Sequence, residues 1–385
     1  MTWKTLASSP VTRVRRHSRF VVADLLVPHR VLSTSVKNGG YSNTVDFLVN
    51  HQSCEGAGHD KRAHAILGDG QERYHDITCA EIDLPPDRVA LMGTAANMNY
   101  AAVAVGRDDD VEVVAVVTAG VQTNATCAGD PAQWREQRDG VVKVPQVAGT
   151  INTMLLTNSP VTPGVLARLA VTMTEAKTAA LQRLAVPSCY SSDLATGTGT
   201  DQFCIAAPAE GGHALTSASP HMKFGEIVAV AVRDATMEAL RWQNGLEPSY
   251  TRGMFHALGR YGLKEQSVTD DLASYLNASD LELLRRNSKS VFYEPLAGAA
   301  AHALAAVLDR SRHGALPAGV LPDAAVQQAA VLAANLAAQP DRWPFFHQQL
   351  SSAEAMNLGS PGVMDYKSLI LKAIALGWSE KWRTT

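Results

Sequence analysis

Apolar residues in this chain follow two rhythms. Short, nearly unbroken apolar runs, bounded by polar and glycine-rich stretches, mark buried strands at Val111 to Val117, Met154 to Leu156 and Gln202 to Ala207. The first and last of these read as interior strands of one sheet. Arg19 to Val36 reads as two strands split by Pro28-His29, and Lys37-Asn38-Gly39-Gly40 as a turn. Asn43 to Asn50 resumes a strand-like pattern. Met92 to Met98 reads as a glycine–alanine loop or helix start, and Arg107 to Asp110 as a hairpin tip.

The second rhythm is helical. Thr162 stands at an N-cap position and Pro163 opens the helix, where a missing N–H costs nothing. Leu166, Leu169, Ala170, Met173, Ala180, Leu181 and Leu184 then share one face, while Arg168, Thr172, Glu175, Gln182 and Arg183 share the other. Lys177 falls on the apolar face. An unpaired ammonium is costly there, so it must pair, snorkel or lose its charge. Two readings follow: a structural role, as an ion pair or as a long stem reaching the rim, or a catalytic lysine directed at the threonine-rich loops at Thr150 and Thr198. Asp201 is a carboxylate suited to meet it. Glu175 points to solvent.

A second helix is expected from Ser219-Pro220 to about Trp242, with His221 to Glu226 as its first turns and Phe224, Ile227, Val228, Ala231 and Ala235 as its stripe. Lys223 and Glu226, three apart, are placed to pair. Beyond Asn244-Gly245 the pattern is helical throughout. It includes a helix capped by Ser279 with Glu282, then Pro295 to Ser311 closed by Gly314, Ala324 to Ala338, and Lys367 to Leu376. The expected architecture is α/β, a mixed α+β sheet domain over residues 1–242. An all-helical C-terminal module over residues 243–385 follows it.

Composition narrows the partners. The 385 residues are 46% hydrophobic and only 6% aromatic, with a formal net charge of −3. That balance gives no electrostatic drive toward nucleic acid. No apolar run approaches the roughly 18 residues of a membrane span, and no apolar segment follows the basic N-terminal residues as in a secretory signal. Five scattered cysteines form no CxxC pair, which fits a cytoplasmic setting. The alanine-rich, sparsely charged helical tail suggests a homodimer surface.

Several chemistries are excluded by absent motifs. There is no Walker A loop, no complete dinucleotide fingerprint, no GxSxG elbow and no HExxH. The polar segment 51–79 carries His51, Cys54, His59, His64, His75 and Cys79, but no tight ligand pair. It reads as an active-site loop with incidental histidines in preference to a metal centre. What remains is Thr118, Asn124, Thr150, Asn152, Thr198 and Thr200 on loops at strand ends, together with Lys177, Asp130 and Asp201. Hydroxyls, amides and one lysine suit acyl transfer or amide hydrolysis, in which a base activates the attacking oxygen and donors stabilise an oxyanion.

The ordered segments VVTAGV, NAT, GDP, GTIN, MLLTN, VTPGVLAR, TEAKTAAL and ATGTGTD, with the later Lys223/Glu226 helix, resemble the adenosylcobinamide amidohydrolase family. HRVLSTSV, NGG and LMGTAANM are similar to it as well, and the likeness covers about residues 20–242. The resemblance implies hydrolysis of the amide joining aminopropanol to the corrin ring of adenosylcobinamide. Adenosylcobyric acid would be the product, in corrinoid salvage toward cobalamin. It implies a small-molecule corrinoid substrate and no required cofactor. The pocket positions it implies are Asn124, Asp130, Thr150, Asn152, Lys177, Thr198, Asp201, Lys223 and Glu226. Lys177, Thr150 and Asp201 are taken as catalytic; the others, with Thr200, as substrate-binding. Two alternatives stand beside it: a corrinoid-binding protein without turnover, and a diverged hydrolase of another small amide or lactam.

Overall fold

A computed structural model describes residues 2–55, 70–132, 135–137, 140–142, 149–351 and 365–383. The chain divides into two units, Met1–Leu246 and Glu247–Thr385, with the boundary a few residues beyond the compositional change at Asn244-Gly245.

The first unit is built on two sheets. The five-stranded sheet has the order β1-β2-β3-β6-β7. Its strands are β1 (Lys4–Ser8), β2 (Thr12–His17), β3 (Phe20–Leu25), β6 (Phe47–Gln52) and β7 (Val89–Thr94). The six-stranded sheet has the order β5-β4-β15-β13-β9-β8. It comprises β4 (His29–Ser33), β5 (Gly40–Ser42), β8 (Ala102–Asp108), β9 (Val111–Ala119), β13 (Ile151–Thr157) and β15 (Gln202–Pro208). Two short pairs complete the strands: β10 (Ala125–Thr126) with β14 (Gly197–Thr198), and β11 (Arg135–Gln137) with β12 (Gly140–Val142). Strands β9 and β15 are interior, as their apolar runs require.

Side-chain alternation along each strand sorts the core into layers. Val114, Val116, Met154, Leu156, Cys204 and Ala206 point from the second sheet toward Val14, Val21, Ala23, Leu48, Ala90 and Met92 of the first. Val113, Ala115, Val117, Ile151, Leu155 and Ile205 face the other way, onto helices α2 (Pro163–Arg183) and α3 (Lys223–Asn244). On the far side of the first sheet, Phe20, Val22, Val49, Val89 and Leu91 pack with Cys79 of helix α1 (Gln71–Ala80). The result is a four-layered α–sheet–sheet–α unit.

Several boundaries differ from the sequence expectation. The basic N-terminal run forms β1 and β2; Arg13 lies directly opposite Asp24, and Arg13 and Arg15 both pair with it at 2.9 Å. Cross-strand neutralisation is what lets those arginines sit in a sheet. The start of the presumed loop at Met92 belongs to β7, whose glycine lies beside the Tyr74 ring. Helix α3 begins at Lys223 after the cap residue Met222, not at Ser219-Pro220.

The second unit is helical, with no strand among its described residues. Asn277, not Ser279, caps the helix Ala278–Arg286, its side chain accepting from the Asp280 N–H. Small residues set the packing. A methyl on Gly298 would fall 2.0 Å from the Arg252 carbonyl oxygen, and one on Gly377 2.6 Å from that of Ala333. Alanine-rich helices can approach this closely because nothing larger stands between their backbones. No helix of the described residues is long and apolar enough to cross a membrane.

Candidate functional site

Strands β13 and β15 run parallel, and β9 lies antiparallel beside β13. The N-terminal ends of the first two therefore meet the C-terminal end of β9 at one edge of the sheet. Thr118, Thr150, Asn152 and Asp201 converge there, and the short β10–β14 pair sets Thr198 opposite Ala125. Helix α2 fastens the incoming loop: Thr178 Oγ1 donates to the Thr196 carbonyl at 3.1 Å and Gln182 Nε2 to that of Ala195 at 3.2 Å.

Asp201 is the centre of this arrangement. Oδ1 accepts from the Thr198 hydroxyl at 2.5 Å and the Ile151 N–H at 2.9 Å. Oδ2 accepts from the Thr198 N–H at 3.1 Å and from the Lys177 ammonium. The two charged side chains are only 14% and 18% exposed, so their pairing is shielded from solvent screening. This geometry removes the rim-reaching form of the structural reading of Lys177 and leaves an ion pair facing the loops. Glu175, on the same helix, is about half exposed, as its helical position requires. Gly197 makes the contact possible by leaving the space beside both groups empty.

Beside this cluster lies a second one. Thr150 Oγ1 donates to the Thr200 carbonyl at 2.6 Å. Asn124 Nδ2 donates to the Gly149 carbonyl at 2.8 Å and to Thr200 Oγ1 at 3.3 Å. Thr200 Oγ1 itself donates to the Gly149 carbonyl at 2.7 Å. Lys177, Asp201, Thr198, Thr150, Thr200 and Asn124 thus form one linked neighbourhood.

The other residues singled out from the sequence sit differently. Asn152 is 0% exposed, and its Nδ2 donates to Asn50 Oδ1 at 2.9 Å and the Gly93 carbonyl at 3.0 Å. Asn50 Nδ2 passes the chain on to Thr118 Oγ1 at 2.8 Å. The ladder joins the two sheets behind the site, and its direction is forced because a carbonyl only accepts. Asn152→Ala removes the donor from the buried Asn50 Oδ1 and one donor from the Gly93 carbonyl, and is expected to cost about 1–3 kcal/mol. Urea melts check this; an unchanged midpoint would mean that solvent replaces the amide.

Asp130 anchors a loop. Its Oδ2 accepts from the Cys127 N–H at 2.7 Å, Ser188 Oγ at 2.6 Å and Thr126 Oγ1 at 3.1 Å. Burial pushes its pKa upward, but hydrogen bonds led by that from Ser188 outweigh burial and hold the carboxyl below its ordinary value of 3.8. A depressed folded pKa stabilises the fold above the unfolded value, and that contribution fades as pH falls through the folded one. The stability gap between wild type and Asp130→Asn should therefore shrink between pH 6 and pH 3 in paired urea melts. A gap independent of pH would contradict this.

Lys223 and Glu226 lie elsewhere. They pair with each other at 2.9 Å, about half exposed, in the first turn of α3. Gly106, near the β8–β9 hairpin tip, abuts Ile227 in the next turn, so this pair sits at the opposite end of the sheet from Thr150. The reason is the helix's direction, which carries its C-terminal Gln243 and Asn244, rather than its start, to the Asn97 and Val121 N–H groups.

His51 Nδ1 meets the Tyr74 hydroxyl at 2.7 Å, and its ring stacks on Phe20 at 4.5 Å. His75 Nε2 lies 3.1 Å from the Pro86 carbonyl, and burial pushes the Cys79 thiol up to about 12. His59 and His64 lie outside the described residues. Among the described residues no group of three or more His, Cys, Asp or Glu is placed to hold a metal ion. Sequence reasoning missed Tyr190 and Ser188; the hydroxyl-rich run Ser188 to Ser192 was the one available signal.

A shielded ammonium, held in place by a carboxylate and flanked by hydroxyls, can stabilise negative charge developing on an attacked carbonyl. The comparisons bear on which carbonyl. The family model for adenosylcobinamide amidohydrolase (CbiZ) matches residues 4–248, a span that includes every residue of both clusters. An uncharacterized protein of Methanocaldococcus jannaschii, MJ1613, is 37% identical over 183 residues, covering 45% of this chain and 71% of that protein. Two solved structures are distant. The PH0078 protein from Pyrococcus horikoshii is 12% identical, with a TM-score of 0.27 over 62% of this chain and 82% of that one. The L-aminopeptidase D-Ala-esterase/amidase from Ochrobactrum anthropi is 13% identical, with the same TM-score and coverage. The family match spans well over half of the chain, and on that ground the protein is a hydrolase belonging to the adenosylcobinamide amidohydrolase family.

Proposed function

We propose that this protein hydrolyses the amide joining the aminopropanol arm to the corrin ring of adenosylcobinamide. Water is consumed, the C–N bond breaks, and adenosylcobyric acid and aminopropanol are released. The observation that carries this reading is the shielded Lys177–Asp201–Thr198 cluster within the span matched by the family. Attack on an amide carbonyl places negative charge on its oxygen, and a fixed ammonium nearby stabilises that charge in a poorly solvated site. Asp201 keeps Lys177 in place, and the Thr198 and Thr150 hydroxyls serve as the oxygen groups of the site. The departing nitrogen must gain a proton, a role for which the Lys177 ammonium is suited.

Incubating the purified protein with adenosylcobinamide and following free aminopropanol by mass spectrometry tests the proposal. Stoichiometric conversion to aminopropanol and adenosylcobyric acid is expected. Tight corrinoid binding without release would point to a binding protein, and neither binding nor release to a hydrolase of another small amide.

A further inference from the structure

The amide of Asn124 holds the Gly149 carbonyl and the Thr200 hydroxyl beside Thr150, and an amide can face either way. The Gly149 carbonyl only accepts, so the nitrogen must face it and the Asn124 oxygen must face the other side. On that side stands the Tyr190 hydroxyl, at 2.9 Å from Oδ1. Because an amide oxygen only accepts, Tyr190 is the donor.

Tyr190 is itself held from behind. Ser188 Oγ accepts from the Tyr190 N–H at 3.0 Å and the Ser191 N–H at 3.3 Å, and donates to Asp130 at 2.6 Å. The neighbouring Cys189 N–H bonds to the Ala125 carbonyl at 2.8 Å, one residue from Asn124. A relay therefore runs from Asp130 through Ser188 and Tyr190 to Asn124, and ends at the backbone entering Thr150. The phenol ring is half-buried, so the fold does not require it as core. Its hydroxyl has a defined partner all the same.

We infer that Tyr190 is a positioning residue of the proposed amide hydrolysis: its hydroxyl fixes the orientation of the Asn124 amide and, through it, Gly149, Thr200 and Thr150. This rests on the function proposed above. Burial keeps the phenol protonated beyond its ordinary range, so the donation persists at alkaline pH.

Tyr190→Phe retains the ring and removes only the donor. Its kcat on adenosylcobinamide should fall about tenfold, the rate equivalent of one hydrogen bond. KM and thermal midpoint should be little changed. In a double-mutant cycle, Tyr190→Phe should cost almost nothing further once Asn124 is alanine. Wild-type kcat in Tyr190→Phe, or additive losses in the cycle, would overturn the inference. A readout independent of turnover keeps the two proposals separable: the Asn124 side-chain amide protons, followed by nitrogen-15 NMR, should exchange with solvent faster in Tyr190→Phe. Unchanged exchange overturns the role of Tyr190 even in an active enzyme. A wild type without turnover removes the proposed reaction and leaves the exchange measurement to decide the hydrogen bond.

Discussion

Lys177→Met is expected to fold, to bind the corrinoid, and to turn it over at least about 10²-fold more slowly. Methionine keeps the length and apolar character of the stem, on a helix whose buried residues include Met173, Ala176 and Ala180. What disappears is the charge. Asp201 does not become an orphan, because the Ile151 N–H at 2.9 Å, the Thr198 N–H at 3.1 Å and the Thr198 hydroxyl at 2.5 Å remain as donors. Removing one partner of a buried pair costs most when the other is left bare; here it is not. The stability loss should stay near one hydrogen bond to a charged group, about 1.5–3 kcal/mol, a shift that thermal melts can read. Single-turnover rates with bound adenosylcobinamide give the chemical step directly. Near-full activity would make the pair structural and remove Lys177 from the proposed mechanism.

The sequence made α2 legible because its periodicity is strong, and with it the inward direction of Lys177 and its approach to Asp201. One residue broke the helical pattern. Thr172 falls on the polar face by its spacing but is 1% exposed; its hydroxyl donates to the Ala218 carbonyl at 2.8 Å, so burial leaves no unmet group. The strands with continuous apolar runs, β9, β13 and β15, were also readable. Strand β2 was not, since its arginines look solvated until Asp24 is placed opposite them. The Asn50–Asn152 contact joins residues 102 apart in sequence, and only strand pairing across both sheets brings them together. Tyr190 and Asn124 are likewise far apart in sequence, with β13 and α2 among the elements between them. Lys223 and Glu226 show the converse: a motif in the right order along the chain need not lie at the right end of a helix.

Gly197→Ala is the second change expected to remove most of the activity, and it does so without touching a charged residue. A methyl built at this position would stand 2.5 Å from Asp201 Oδ2 and 2.8 Å from Lys177 Nζ. Both distances are well inside contact, so both side chains must shift and their contact opens. Asp201 is pinned by the backbone N–H groups of Ile151 and Thr198, whereas the lysine has a flexible stem. The carboxylate can therefore give only slightly, and the ammonium moves farther. Gly197 holds no left-handed backbone angle, so the substitution tests space and not strain. Turnover should drop toward that of Lys177→Met, by about 10²-fold. The double variant should be no slower than the slower single one, because both changes break one contact. Gly164→Ala, at the start of the same helix, meets nothing within 4 Å and serves as the control. Full activity in Gly197→Ala would show that the chemistry does not need the lysine against the carboxylate, and the proposed role for the pair would fall.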